Sequence, residues 1–133
     1  MEEGTIVLLE DDKSAREIIS DMLERGFPKL KVVAFQRGDD ALDFLFESNA
    51  PVIGIVSDLM MKDFDGIDFL AAIKKHPRWA YLPFIFLSGA DYSVFQNLIN
   101  QYKIASFLAK PVKEEVLIQS VQEHFLHRRR RVS

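Results

Sequence analysis

The chain is expected to fold as one α/β domain: five βα units around a parallel sheet. Three observations predict this. Short apolar runs alternate with segments of helical periodicity along the whole chain, the pattern of βαβ units. The runs are apolar at nearly every position, as strands covered on both faces are. The length of 133 residues, 48% hydrophobic with eleven Phe, fits one domain with a well-filled core.

The first strand is expected at residues 5–10, Thr5-Ile6-Val7-Leu8-Leu9-Glu10. A helix follows over 13–25, with Ala15, Ile18, Ile19, Met22 and Leu23 on one face and Gly26 as its stop. Residues 31–35 read as a short second strand. Residues 39–48 read as a helix with Leu42, Leu45 and Phe46 inward, and Asp39 and Asp40 favourable in its first turn. The third strand is 52–57, and Asp65-Gly66 opens a turn into a third helix, 67–75, which stops before Pro77. A fourth strand spans 83–88, a fourth helix 91–102 and a fifth strand 106–109. After Pro111 comes a fifth helix, 113–126, with Leu117, Ile118, Val121 and Phe125 apolar. Right-handed crossovers then place helices on both faces of the sheet.

Without cysteine, the chain has no disulfide, thiolate metal site or cysteine nucleophile. Only Thr5 and four apolar residues separate the acidic Met1-Glu2-Glu3-Gly4 from Glu10, so no signal peptide is expected, and no apolar run approaches the ~20 residues of a bilayer span. No membrane partner is expected, and the expected location is the cytoplasm. The net charge of −3 is uneven. The tail 127–133 holds four Arg and no acid, so residues 1–126 carry 13 bases against 20 acids. An acidic body argues against direct nucleic-acid binding, which depends on neutralising phosphates. The domain is therefore expected to span 1–126, with 127–133 a solvated basic tail.

Chemistry gathers at four strand ends. Glu10-Asp11-Asp12 ends the first apolar run, Asp58 the third, Ser88 the fourth and Lys110 the fifth. Open α/β sheets build their sites at the carboxyl ends of strands. Glu10, Asp11 and Asp58 are hard oxygen donors of the kind Mg²⁺ takes, and a divalent cation relieves the repulsion among crowded carboxylates. Acids also suit the start of a helix, and Asp12 needs no other role. Asp58 is the candidate nucleophile, because a carboxylate can accept a phosphoryl group as an acyl phosphate. Lys110, before Pro111, can pair with Asp58 and then with a phosphoryl oxygen. The Ser88 hydroxyl can donate to the same group. Singly, each of these residues serves equally well as a cap, a turn residue or a surface lysine. Their joint order is the specific signal: an acid cluster, about 47 residues to Asp58, 30 to Ser88 and 22 to Lys110-Pro111, with Asp65-Gly66 seven and eight residues after Asp58.

This set, over about residues 4–126, resembles the receiver domain of bacterial response regulators, most closely the single-domain chemotaxis type. The resemblance implies a doubly wound, flavodoxin-like (βα)₅ fold with strand order 2-1-3-4-5. It implies a phosphoryl group passed from a phosphohistidine on a sensor histidine kinase or phosphotransfer protein to Asp58. Mg²⁺ would be bound by Asp11, Asp58 and the backbone carbonyl of Met60, with Glu10 acting largely through metal-bound water. Lys110 would neutralise the phosphoryl group, Ser88 would move toward it, and Phe107 would be the aromatic residue that turns inward in response. The output would be a changed surface around helix 4, strand 5 and helix 5, read by an output protein or a second copy of the domain.

The chain departs from the family pattern at several points. Lys62 stands where the family usually has Pro, Phe107 where Tyr is commoner, and Lys103-Ile104 where Gly-Ala is frequent. None of these removes a reactive group. Met60 and Ala90, two residues after Asp58 and Ser88, cannot orient water by charge, so the resemblance implies slow loss of the phosphate. The stripe Val94, Phe95, Leu98, Ile99 and Tyr102 on the fourth helix serves core packing, with part of it open to a partner. Trp79 is expected to pack locally, and His76, His124 and His127 lack ligand spacing.

Other readings fit less well. An aspartate-nucleophile phosphatase of the haloacid dehalogenase type needs an Asp-x-Asp motif after its first strand, and Glu10-Asp11-Asp12-Lys13 lacks it. A flavin-binding protein of the same fold needs a Ser/Thr/Gly-rich first loop, and this one is acidic. A receiver-like interaction module without phosphorylation has no need of Asp58, Lys110 and the acid pair together.

Overall fold

Strand β1, Thr5–Leu9, is buried at every position, and its two faces feed two different cores. Successive side chains of a strand point to opposite faces. Ile6 and Leu8 join Ile19 and Leu23 of the first helix and Leu117 and Val121 of the last. Val7 and Leu9 join Ala41 and Leu45 of the second helix and Phe69 and Ile73 of the third. The unbroken apolar run in the sequence is thus a strand that needs cover on both sides.

The computed structural model describes residues 4–59, 66–89, 96–102 and 106–126, without the side chains of residues 98 and 99. After β1 come α1 (Lys13–Gly26), β2 (Lys31–Phe35), α2 (Gly38–Glu47), β3 (Val52–Asp58), α3 (Gly66–Lys74), β4 (Phe84–Ser88), α4 (Gln96–Tyr102), β5 (Ser106–Ala109) and α5 (Glu114–Val121). A π-helical turn, Gln122–Leu126, continues α5. The five strands form one parallel sheet in the order β2-β1-β3-β4-β5. The expected (βα)₅ doubly wound, flavodoxin-like fold is therefore present. The expected start of the fourth helix at 91–95, Val94 and Phe95, Lys103-Ile104 and the tail 127–133 lie outside the described residues, as do the side chains of Leu98 and Ile99. Of the proposed stripe, Tyr102 is described and packs partly buried on the second core.

Helical periodicity overestimated two faces. Ile18 is 56% exposed and Phe46 46% exposed, although both were expected inward. Each follows or precedes a fully inward residue by one position, a rotation of about 100°. In α1 the buried line is Ile19 and Leu23. In α2 it is Gly38, Ala41 and Leu45, and the Phe46 ring stacks instead on His76, centroids 5.0 Å apart.

Gly26 acts through packing rather than as a left-handed stop. It is the last residue of α1, and the chain leaves the helix at Phe27. A β-carbon on Gly26 would collide with Cδ1 of Ile118 on α5, so glycine permits the close approach of the two helices. Asp12 caps the N-terminus of α1, accepting from the Ala15 N–H at 2.8 Å. Trp79 is buried in the second core, as local packing predicts.

Candidate functional site

Parallel register brings the reactive strand ends together. Leu9 pairs with Ser57, so Glu10 and Asp58, the next residues on each strand, emerge side by side. Ser88 pairs with Ala109, which places Lys110 one residue beyond on the same edge. The edge is closed by backbone bonds. Glu10 N–H donates to Phe35 O, Leu59 N–H to Leu87 O and Lys110 N–H to Ser88 O, each at 3.0 Å.

At this edge the Lys110 ammonium donates to Glu10 Oε1 at 3.0 Å and to Asp58 Oδ2 at 3.1 Å. Glu10 is fully buried, and its second oxygen, Oε2, accepts from the Asp12 N–H at 3.0 Å. Asp58 and Ser88 are also buried, while Asp11 stands half-exposed at the rim. The Lys110-Pro111 peptide bond is cis. Oxygen atoms of Glu10, Asp11 and Asp58 lie within 4.8 Å of one another.

Burial raises the Glu10 carboxyl above the ordinary glutamate range. The bonds from Asp12 N–H and Lys110 oppose that shift without cancelling it, and the Asp58 charge adds to it. Burial pulls the Lys110 ammonium down, but its hydrogen bonds to Glu10 and Asp58, and their charges, hold it above the ordinary lysine value. Three carboxylates against one ammonium leave the pocket short of positive charge. The donor set is all oxygen, small in span and open at Asp11, which fits a hard divalent cation such as Mg²⁺.

Two backbone features shape the pocket floor. The Ser57 hydroxyl donates to the Asp58 carbonyl at 2.8 Å. Gly66 N–H donates to Leu59 O at 3.0 Å, and a β-carbon on Gly66 would strike the Asp58 carbonyl. Gly66, the first residue of α3, is thus held to glycine by close approach to β3. Phe107, half-buried on β5, stacks on Phe86 with centroids 5.8 Å apart and planes 23° from parallel.

The structure therefore places Glu10, Asp11, Asp58 and Lys110 together, with Ser88 at the neighbouring strand end of the same edge. Met60, Lys62, Asp65 and Ala90 lie outside the described residues. Sequence reasoning missed the second partner of Lys110, Glu10, and it missed Arg16, whose Nη1 donates to the Glu10 carbonyl at 2.9 Å. Its place one turn past the Asp12 cap was the available signal.

Residues 6–122 match the response regulator receiver domain family. The chain belongs to that family. The receiver is 35% identical over 93 residues to chemotaxis protein CheV3 of Helicobacter pylori, covering 65% of this chain and 30% of that protein. It is 31% identical over 108 residues to two-component response regulator ORR12 of Oryza sativa, covering 81% and 87%. The chain spans 14% of the Dictyostelium discoideum phosphodiesterase regA and 47% of the Pseudomonas aeruginosa transcriptional regulatory protein GltR. Among solved structures, a receiver domain protein of Clostridium thermocellum superposes with a TM-score of 0.82 at 21% identity, over 98% of this chain and 99% of that one. Chemotaxis protein CheY4 of Vibrio cholerae gives 0.82 at 20% identity, over 92% and 98%. The receiver is a signalling switch of two-component phosphorelays, a family whose members accept a phosphoryl group and typically bind Mg²⁺ at an acidic pocket. None of the described helices is long and apolar enough to cross a membrane.

Proposed function

We propose that Asp58 accepts a phosphoryl group from the phosphohistidine of a sensor histidine kinase or phosphotransfer protein. A carboxylate oxygen of Asp58 attacks phosphorus, the P–N bond breaks, and the imidazole leaves with the bonding pair, giving an acyl phosphate. The observation that carries this reading is the position of Lys110. It already holds Asp58 at 3.1 Å, and one short movement lets it follow the arriving charge onto a phosphoryl oxygen. Phosphoryl transfer asks a protein mainly for positioning and charge neutralisation.

Glu10, through metal-bound water, together with Asp11, Asp58 and the Met60 carbonyl, would hold Mg²⁺. When bound, the ion supplies a second positive charge for the phosphoryl oxygens. The Ser88 hydroxyl donates to a phosphoryl oxygen of the product, and Phe107, stacked on Phe86, follows the space Ser88 vacates. The readout surface is that of α4, β5 and α5, offered to an output protein or a second copy of the domain. Residues 1–126 form the receiver and 127–133 a basic appendage. The domain works in the cytoplasm and does not itself bind nucleic acid.

The test is incubation with acetyl phosphate and Mg²⁺, read by intact mass. A single phosphoryl adduct is expected, absent from Asp58→Asn. No adduct with any small donor or kinase would leave a receiver-like interaction module in its place.

A further inference from the structure

Arg16 lies on the first turn of α1, outside the residues assigned above, and its side chain turns back to the end of β1. Nη1 donates to the carbonyl of Glu10, six residues earlier, at 2.9 Å. The Arg16 backbone N–H donates to the Asp12 carbonyl, also at 2.9 Å. The turn between them is held by the bond from Asp12 N–H to Glu10 Oε2 and by the Asp12 cap on Ala15. These bonds all fall on Glu10 or Asp12. Asp11, the half-exposed member of the acid cluster, takes none of them and owes its direction to its two neighbours. The Arg16 side chain is the link that ties the carbonyl preceding Asp11 to the helix that follows it. A guanidinium suits this role because its rigid fork fixes direction as well as distance.

We infer that Arg16 is a positioning residue that sets the orientation of the Glu10-Asp11 pair and thereby the affinity of the pocket for Mg²⁺. The inference rests on the reading of that pocket as a metal site. Groups that orient metal ligands typically contribute 10- to 100-fold to affinity. Removing a cation near the site works in the opposite direction, through a repulsion weakened by solvent around the half-buried side chain.

The experiment is calorimetric titration of Mg²⁺ alone into the wild type, Arg16→Met and Arg16→Lys, with melting curves in chelator. Arg16→Met is expected to bind Mg²⁺ about tenfold more weakly, and Arg16→Lys to fall between. In acetyl phosphate labelling, the Mg²⁺ concentration for half-maximal rate rises in the same order, while the rate at saturating Mg²⁺ holds. A purely structural role would lower the melting temperature in chelator without moving Mg²⁺ affinity. Equal or tighter binding by Arg16→Met, or by Arg16→Lys should the Met variant fail to fold, overturns the inference. A wild type that binds no Mg²⁺ overturns the metal-site reading itself, and this inference with it.

Discussion

Lys110 and Asp58 meet at 3.1 Å although the strands they follow are not neighbours, since β4 lies between β3 and β5. The long lysine stem crosses the end of β4 and reaches Glu10, beyond β3, at 3.0 Å. One cation therefore serves two carboxylates from two other strands. Replacing it with methionine keeps the stem and removes the charge. The fully buried Glu10 then loses its cation, and Lys110→Met is expected to cost about 1–3 kcal/mol in urea unfolding at neutral pH. Labelling of Asp58 by acetyl phosphate should slow about 100-fold, as when one preorganised donor to a developing oxyanion is removed. Labelling at the wild-type rate would count against a role for Lys110 in the transfer.

A pocket with three carboxylates and one ammonium should gain stability from a divalent cation that binds only the folded state. At Mg²⁺ a hundredfold above its dissociation constant the gain is about 2.7 kcal/mol, a rise in Tm of roughly 8–12 °C for a domain of this size. Chelator should reverse it, NaCl of equal ionic strength should not reproduce it, and Asp11→Asn should blunt it. A Tm indifferent to Mg²⁺ would remove the cation from the site.

The parts of this site that could be read in the sequence are those where one residue marks a strand end. An apolar run followed by Asp58 or Glu10 specifies both the strand and the edge at which its last side chain emerges. Parallel pairing in the order 2-1-3-4-5 then brings such ends together almost automatically. Interactions set by side-chain reach were not legible. Arg16 finds the Glu10 carbonyl by folding back over a helix turn; its place one turn past the Asp12 cap marks the position, but spacing alone does not say where a long side chain reaches. Nor does periodicity resolve one position in a helix. Ile18 and Phe46 look as inward as Ile19 and Leu45 until the neighbouring helices show how narrow the buried line is. The place of Gly26 at the end of α1 was legible, but the reason for it was not. Gly26 resembles a helix stop, and its cause lies ninety-two residues away in Ile118.

The pair Arg25–Glu114 joins α1 to α5 by two hydrogen bonds, at 2.8 and 3.2 Å, on the exposed surface. The bonds from Arg25 hold the Glu114 carboxyl below the ordinary glutamate range. A carboxyl lowered on folding contributes stability above its unfolded pKa and loses it as the pH falls through the folded one. Glu114→Gln should therefore melt slightly below the wild type at neutral pH, and the two Tm curves should converge as the solution is acidified past the lowered pKa. Salt should narrow the difference, because the pair is exposed. A gap that persisted in acid would mean that the side chain acts by packing rather than by charge.

Gly54 sits in the middle of β3 with the ring of Phe125 lying on it, so a β-carbon there would come within 2.5 Å of ring carbons. The π-helical turn carrying Phe125 thus docks on the strand that, four residues later, presents Asp58. Alanine at position 54 overfills this contact, and Gly54→Ala is expected to lose about 1–3 kcal/mol. A second change, Phe125→Leu, should restore part of that loss, because the two residues share one space and their effects will not add. Acetyl phosphate labelling of Gly54→Ala, measured well below its Tm, should stay near the wild-type rate, since the altered contact lies four residues along β3 from Asp58, about 13 Å of extended chain. Unchanged stability in Gly54→Ala would show that the ring can slide aside, and the docking of the last turn would then have to rest on Leu117 and Val121 instead.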